Sequence, residues 1–326
     1  MAETKTRQQS LPGQQHGILL VNKPKGPTST DCLEKIKFRL GQKKIGHAGT
    51  LDPNAQGLLI VLLGQGTKLA PYLGQGRKTY QGRLRLGLET DTYDIQGEVT
   101  AEHPWEDLDP GSVLQEIQAW TMINEQRVPP YSAAKYKGKP LYARARQNRF
   151  VPEKTKPVTI DHVEAFDLSL PSVSFRVVCS PGTYIRSLAH SLGKRLACGA
   201  VLTDLVREKS DPFELSQAHH LLDILEEPGR LHHRVRSLAG SLPHWPQARL
   251  NARQTRDIQN GLRVSAGEIA LERPAAPGDT ALLLTPEGEP LALAQAEQEG
   301  ALLYWAVLRG LWSASANQQQ ATNTKH

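Results

Sequence analysis

Apolar and polar residues follow one another along this chain in patterns that identify its elements. GILLVNK, from Gly17, is an almost unbroken apolar run of strand length, and so is LLIVLL at 58–63. Runs of that kind fit strands buried on both faces. Between them, PTSTDCLEKIKFRLG sets apolar side chains at Cys32, Leu33, Ile36 and Leu40, the spacing of one helix face. Ser29 or Thr30 is positioned to cap that helix and Gly41 to end it. TYQGRLRLG alternates apolar with polar residues, as a half-buried strand does. Further strands are expected near 159–168 and 172–180, with a helix over about 183–196. Strands and helices do not alternate regularly. The expected class is therefore α+β, with a mixed, largely antiparallel sheet and flanking helices.

SLPHWPQ at 241–247 interrupts the pattern with two prolines and marks a boundary. Beyond it come one short helix, NARQTRDIQNG, the runs TALLLT and PLALAQ joined by the turn PEGE, and LLYWAVL. The 248–312 stretch, about 65 residues, suits a small C-terminal β-barrel. The main domain would span 16–243. The ends, 1–15 and 313–326, are polar and Gln-rich and read as disordered tails.

Hydrophobic residues are 39% of the 326 and charged residues 22%, enough apolar material for a folded core. The formal net charge of +6 fits a polyanionic partner. Cys32, Cys179 and Cys198 lie far apart with no C-x-x-C pair. They read as buried thiols in a reducing compartment, not as a zinc site or disulfides. MAETKTRQQSLPGQQ has no apolar core of a secretory signal, and no run is long enough to span a bilayer, so a cytoplasmic location is expected.

Chemistry concentrates in GHAGTLDPNAQG. Gly46, Gly49 and Gly57 permit a tight loop that a ligand can approach closely. Pro53 biases Asp52 toward an extended backbone. On local physics alone, Asp-Pro is a turn initiator far more often than a catalytic site.

GHAGTLDPNAQGLLIV, however, resembles the signature of the TruB family of pseudouridine synthases. LLVNKPKGPTS, KTYQGRLRLGLETDTYDIQGEV, PPYSAAKYKGKPLYARAR and CSPGTYIRSLAHSLGKRLACGA resemble further family blocks, in the family's order, over roughly 17–210. The resemblance implies a pseudouridine synthase catalytic domain acting on uridine 55 in the T-arm stem-loop of transfer RNA. It implies no cofactor and no metal, and Asp52 as the nucleophile, adding to the base or attacking the sugar. Arg186 corresponds to the arginine that pairs with that aspartate, where a cation favours the charged carboxylate. Tyr80 corresponds to the tyrosine that packs on the target base and is a candidate to move the carbon-5 proton. Tyr184 and Leu205 correspond to residues lining the uridine pocket. His47 corresponds to a histidine that keeps the target nucleotide unstacked. Lys23 takes a structural place near the loop.

Asp91 and Asp94 suggest a metal pair by composition alone. Their block matches a family that uses none, so local Asx hydrogen bonds are the expectation. Between Lys135 and Lys156 stand eight Lys or Arg against Glu153, with Tyr136, Tyr142 and Phe150 interleaved. Such a run is commonly a solvated helix face; the family places an RNA-embracing insertion here, about 124–156. PPYSAAK has one residue fewer before Tyr131 than the usual motif. The C-terminal module resembles, more faintly, a PUA-type RNA-binding barrel. Two other readings are a guide-RNA-directed synthase of the same fold and a tRNA-folding chaperone that modifies nothing. The compact chain without long basic tails favours a stand-alone enzyme with no obligatory protein partner, and a monomer is the simplest expectation. The joint presence of Asp52, Tyr80 and Arg186 favours catalysis.

Overall fold

The structure, a computed structural model, describes residues 14–147, 149–271 and 273–312. The remaining tail residues expected to be disordered lie outside the described residues. Gln14 and Gln15 do not behave as tail: the Gln14 side chain donates to Gly41 O at 2.7 Å, and Gln15 exchanges hydrogen bonds with Gln42.

The main sheet is mixed and largely antiparallel, as expected. Its six long strands are β1 (Gly17–Lys23), β2 (Ala55–Leu63), β3 (Lys78–Leu86), β4 (Ile160–Ser169), β5 (Ser172–Cys179) and β6 (Ala200–Ser210). Their order across the sheet is β4-β5-β3-β6-β2-β1, with His219–His220 beyond β1. Only β2–β6 and β1 with His219–His220 pair in parallel. Residues in the middle of this sheet are thus brought together from the two ends of the main chain segment.

β1 and β2 are buried on both faces. Leu19, Val21, Leu59, Val61 and Leu63 join one apolar cluster. Ile18, Leu20, Leu58, Ile60 and Leu62 join another. Helices cover the first face: α1 (Ser29–Leu40), α2 (Pro110–Gln118) and α3 (Ile185–Arg195). In α1 the buried Cys32, Ile36 and Leu40 recur every fourth residue, so one stripe faces the sheet.

The cap of α1 differs from the expectation. Thr28, not Ser29 or Thr30, accepts the Asp31 amide, and Asp31 answers to the Thr28 amide, a reciprocal capping box. Ser29 is withdrawn from that role because its hydroxyl donates to Leu51 O and accepts the Leu51 amide, both at 2.9 Å. The helix start is thereby tied to the residue before Asp52.

A separate five-stranded sheet follows the 241–247 segment. It contains Gln247–Arg249, β7 (Thr280–Leu284), β8 (Pro290–Glu299), β9 (Leu302–Gly310) and Val264–Ser265, with the short helix Ala252–Gln259 alongside. Among the described residues its strands pair with none of the main sheet's, yet Leu282, Leu284, Leu293 and Leu311 lie in the cluster that buries the second face of β1 and β2. Leu293, fully buried, should lose about 2–5 kcal/mol on truncation to Ala. Because the two sheets share this core, urea unfolding followed at the two sheets separately is expected to give coincident transitions. Two resolved transitions would contradict a shared core.

Candidate active site

The loop between Ile45–His47 and β2 carries Asp52, whose side chain remains 41% exposed. It faces a cavity of about 250 Å³ lined also by Lys78, Tyr80, Tyr184, Arg186, Leu205 and Arg207. The residues expected from separate sequence blocks therefore converge at one place. His47 opens on the adjoining groove of about 750 Å³, which shares Asp52 and Arg186 and runs past Tyr131 and Tyr142. Lys23 stands behind the loop and lines neither.

Arg186, in the first turn of α3, is 4% exposed. Its Nε donates to Asp52 Oδ2 at 2.9 Å. Nη1 donates to Thr92 O at 2.7 Å and Nη2 to Tyr131 O at 2.9 Å. Asp94 Oδ2 lies 3.6 Å from Nε. The expected pairing of Arg186 with Asp52 is present, and the second carboxylate is one that sequence reasoning missed. Asp94 is also held by its own loop, since Oδ1 accepts from Thr92 Oγ1 at 2.8 Å and from the Gln96 amide at 3.0 Å. Asp91 accepts the Glu98 amide. These are the local Asx bonds expected of that block. Despite the shortened motif before it, Tyr131 has a defined place: its carbonyl accepts from Arg186, and the Asp91 carboxylate near its hydroxyl raises the phenol above its ordinary value.

Tyr80 lies on β3 with 9% of its surface exposed, and burial pushes its phenol upward. Tyr184 immediately precedes α3. Its backbone is gripped on both sides by the buried Gln126, which donates to Tyr184 O at 2.9 Å and accepts its amide at 2.7 Å. Burial raises the Tyr184 phenol too. Leu205, 7% exposed, forms part of the apolar wall.

His47 is lowered by burial, and its Nδ1 has no protein partner despite being enclosed. Lys23 Nζ, fully buried, donates to Pro27 O at 2.7 Å, to Pro24 O at 2.9 Å and to Pro53 O at 3.5 Å. Burial lowers it. This lysine ties the turn before α1 to the proline after Asp52, which is the structural place expected for it.

Two further cations were not anticipated. Lys78, pushed down to about 8 by burial, donates to Gly76 O at 2.6 Å and Gly74 O at 3.3 Å. Arg207, 1% exposed, donates to Leu58 O at 2.7 Å, Gly49 O at 3.1 Å and Thr50 O at 3.4 Å. Their one sequence signal was a charged residue inside a strand pattern, which ordinarily reads as solvent-facing.

The basic segment is not one long helix face. Among its described residues only Leu141–Ala145 is helical; Lys135–Tyr136 pairs with Lys139–Pro140, and Thr155–Pro157 pairs with Glu125–Arg127. Tyr136 has Lys137, Arg144 and Lys154 at 5.5–5.6 Å from its ring centre. Lys156 donates to Gly182 O and lies 5.8 Å from the Tyr184 ring centre. Among the described residues no group of His, Cys, Asp and Glu is arranged to hold a metal ion, and no helix is long and apolar enough to cross a membrane.

Comparison with known proteins adds to this geometry. The family model described as TruB family pseudouridylate synthase (N terminal domain) matches residues 37–185. A protein named tRNA pseudouridine synthase B from Nitratidesulfovibrio vulgaris (strain DSM 19637 / Miyazaki F) is 52% identical over 305 residues, spanning 93% of this chain and 99% of its own. One of the same name from Geobacter sulfurreducens is 37% identical, spanning 91% and 95%. In fold, the chain resembles the solved structure of a Cbf5-Nop10-Gar1 complex at 22% identity and a TM-score of 0.69, covering 92% of this chain and 86% of that one. It also resembles an H/ACA RNP bound to a substrate RNA containing 2'-deoxyuridine, with a TM-score of 0.67, 22% identity, and 91% and 86% covered. From relatives matched almost end to end, the chain belongs to the TruB family of pseudouridylate synthases.

Proposed function

We propose that this protein converts uridine 55 in the T-arm of transfer RNA to pseudouridine, with Asp52 as the nucleophile. The observation that carries the reading is the meeting of Asp52, Tyr80, Tyr184 and Arg186 at one cavity, with Arg186 Nε 2.9 Å from the carboxylate. The names of the relatives supply the RNA class.

The reaction is an isomerisation. The bond from ribose C1′ to uracil N1 breaks, the base turns, and a bond from C1′ to C5 forms. The C5 proton departs and N1 gains one, so no atom is lost overall. Asp52, half open to the cavity, supplies the nucleophilic oxygen, and Arg186 holds that carboxylate at a fixed angle from behind. Tyr80, Tyr184 and Leu205 enclose the base. The Tyr80 phenol, kept protonated by burial, provides a flat face for the ring, and its oxygen takes the C5 proton only as it passes its own proton on.

A T-loop uridine must leave its stack to enter, at a cost of about a few kcal/mol. His47, at the mouth of the groove with an unengaged Nδ1, takes the place the base vacates. The basic insertion, 124–156, tracks the phosphates. The 248–312 module is a PUA-type barrel that extends the RNA-binding surface, and 16–243 is the catalytic domain. The cleft is complete within one chain, which fits a stand-alone monomeric enzyme of the cytoplasm needing neither protein partner nor cofactor.

Incubation with a T-arm stem-loop tritiated at uridine C5 tests the reading. Wild type is expected to release the label; Asp52→Asn should bind the RNA equally and release none. Release by Asp52→Asn would place the nucleophile elsewhere, and no release by wild type would refute the enzymatic assignment. Arg186→Ala is expected to slow single-turnover release on the order of 10²-fold or more while changing RNA affinity by less than about threefold. Equal losses in rate and affinity would remove Arg186 from its pairing role. Replacing Lys137 and Arg144 together by Ala should flatten the slope of log affinity against log salt by about 1–2 units; an unchanged slope would take the insertion off the phosphate track.

A further inference from the structure

Arg207 occupies an unusual position for a charged residue. It lies on β6 in the middle of the sheet, opposite Tyr80 on β3 on one side and opposite Gly57 on β2 on the other. Its guanidinium is 1% exposed and has no carboxylate within 4 Å among the described residues. A buried guanidinium without an acid partner is costly unless its donors are taken up by well-placed acceptors. Here the acceptors are the carbonyls of Gly49, Thr50 and Leu58. Two of them belong to the loop that delivers Asp52, and Thr50 is two residues from it. Tyr80 stands opposite Arg207 across the β3–β6 pairing and lines the same cavity.

The glycines of the loop are shaped around this contact. A Cβ on Gly57 would meet the Arg207 carbonyl oxygen at 2.5 Å and its amide nitrogen at 2.9 Å. A Cβ on Gly49 would sit 3.4 Å from Arg207 Nη1, and both glycines have a φ of +101°. Gly57 thus lets β6 approach β2 closely, and Gly49 lets the loop fold down onto the guanidinium.

We propose that Arg207 is a positioning residue of the reaction centre: from its place opposite Tyr80 in the sheet, one buried guanidinium fixes the backbone that carries Asp52, so the two groups hold a set spacing across the cavity. The inference rests on the roles given to Asp52 and Tyr80 above. Arg186 sets the angle of the Asp52 carboxylate from the α3 side, and Arg207 sets the height of its loop from the sheet side. A lysine's donors radiate from a single nitrogen and cannot reproduce the spread of Leu58 O, Thr50 O and Gly49 O, which Arg207 reaches from three separate nitrogens.

Single-turnover tritium release and RNA binding, measured side by side on full-length Arg207→Lys, Arg207→Met and Tyr80→Phe, test this. Arg207→Lys, which keeps the charge in place, is expected to fold, to bind RNA within about threefold of wild type, and to lose on the order of 10²-fold in the rate constant per active site. Arg207→Met should lose more. Combined with Tyr80→Phe, the Arg207→Lys loss should shrink, because the phenol whose spacing from Asp52 it sets is already gone; a structural role alone would leave the two losses multiplicative. Gly49→Ala, which presses on the same contact from the loop, provides a second route should the arginine variants fail to fold, and is expected to reduce rate and not affinity. A wild-type rate constant in Arg207→Lys, or fully multiplicative losses in the double variant, would overturn the proposal and leave the assignment of Asp52 standing. Absence of release from wild type would instead refute the enzymatic reading beneath it.

Discussion

A guanidinium taken out of water has to be surrounded by acceptors, and most of the site's geometry follows from meeting that demand at Arg186. The side chain is 4% exposed, and its acceptors come from three segments far apart in the chain: Asp52, Thr92 and Tyr131. None of the three residues lies in a regular strand or helix, although the Thr92 loop is also pinned to β6 where Tyr93 and Ile95 bond Leu202. The arginine ties all three segments together at one point. It also sits in the first turn of α3, where the helix dipole disfavours a cation. The carboxylates of Asp52 and Asp94 offset both the burial and the dipole. Removing the charge would therefore leave two carboxylates facing each other with nothing between them.

Elsewhere around the cleft the same demand is met differently. Lys23, Lys78 and Arg207 are buried, and each is satisfied by main-chain carbonyls instead of acids. Those carbonyls belong to Pro24, Pro27, Pro53, Gly49, Thr50, Leu58, Gly74 and Gly76. Most lie in turns, where carbonyls are free because no strand partner claims them. The glycine- and proline-rich character of the motifs thus has a second cause beyond tight turning: it supplies unclaimed acceptors for buried cations. The desolvated lysines feel the cost, and both are lowered by it.

The sequence made some of this legible and hid the rest for identifiable reasons. The double-sided burial of β1 and β2 was visible because a run such as LLIVLL has no polar face to expose. The alternation over Lys78–Leu86 revealed a strand with one buried face, but not that Lys78 was among the buried residues. Arg207 was hidden for the same reason, since a charged residue in a strand pattern ordinarily points to solvent. The sequence pointed to Ser29 or Thr30 as the cap of α1, and the adjacent Thr28 takes the role instead. The choice was settled by Leu51, whose hydrogen bonds occupy Ser29 from a distance of 22 residues. Likewise, apolar residues on the second face of β1 and β2 announced that something covers them. Only the fold shows that Leu282, Leu284 and Leu293 do so. Periodicity identifies a buried face; it carries no information about its partner.

The basic segment and the reaction centre are commonly treated as separate parts, one for holding a polyanion and one for chemistry. Here they are stitched together. The base of the insertion is the hairpin of Glu125–Arg127 with Thr155–Pro157. From it, Gln126 holds the Tyr184 backbone by two hydrogen bonds, and Lys156 holds Gly182 O. Within the same segment Tyr131 supplies a carbonyl to Arg186. A load placed on the cationic cluster around Tyr136 therefore reaches Tyr184 and Arg186 through hydrogen bonds without crossing solvent. Rigid elements with few alternative arrangements transmit position well. The segment thus sets where the cavity's walls stand.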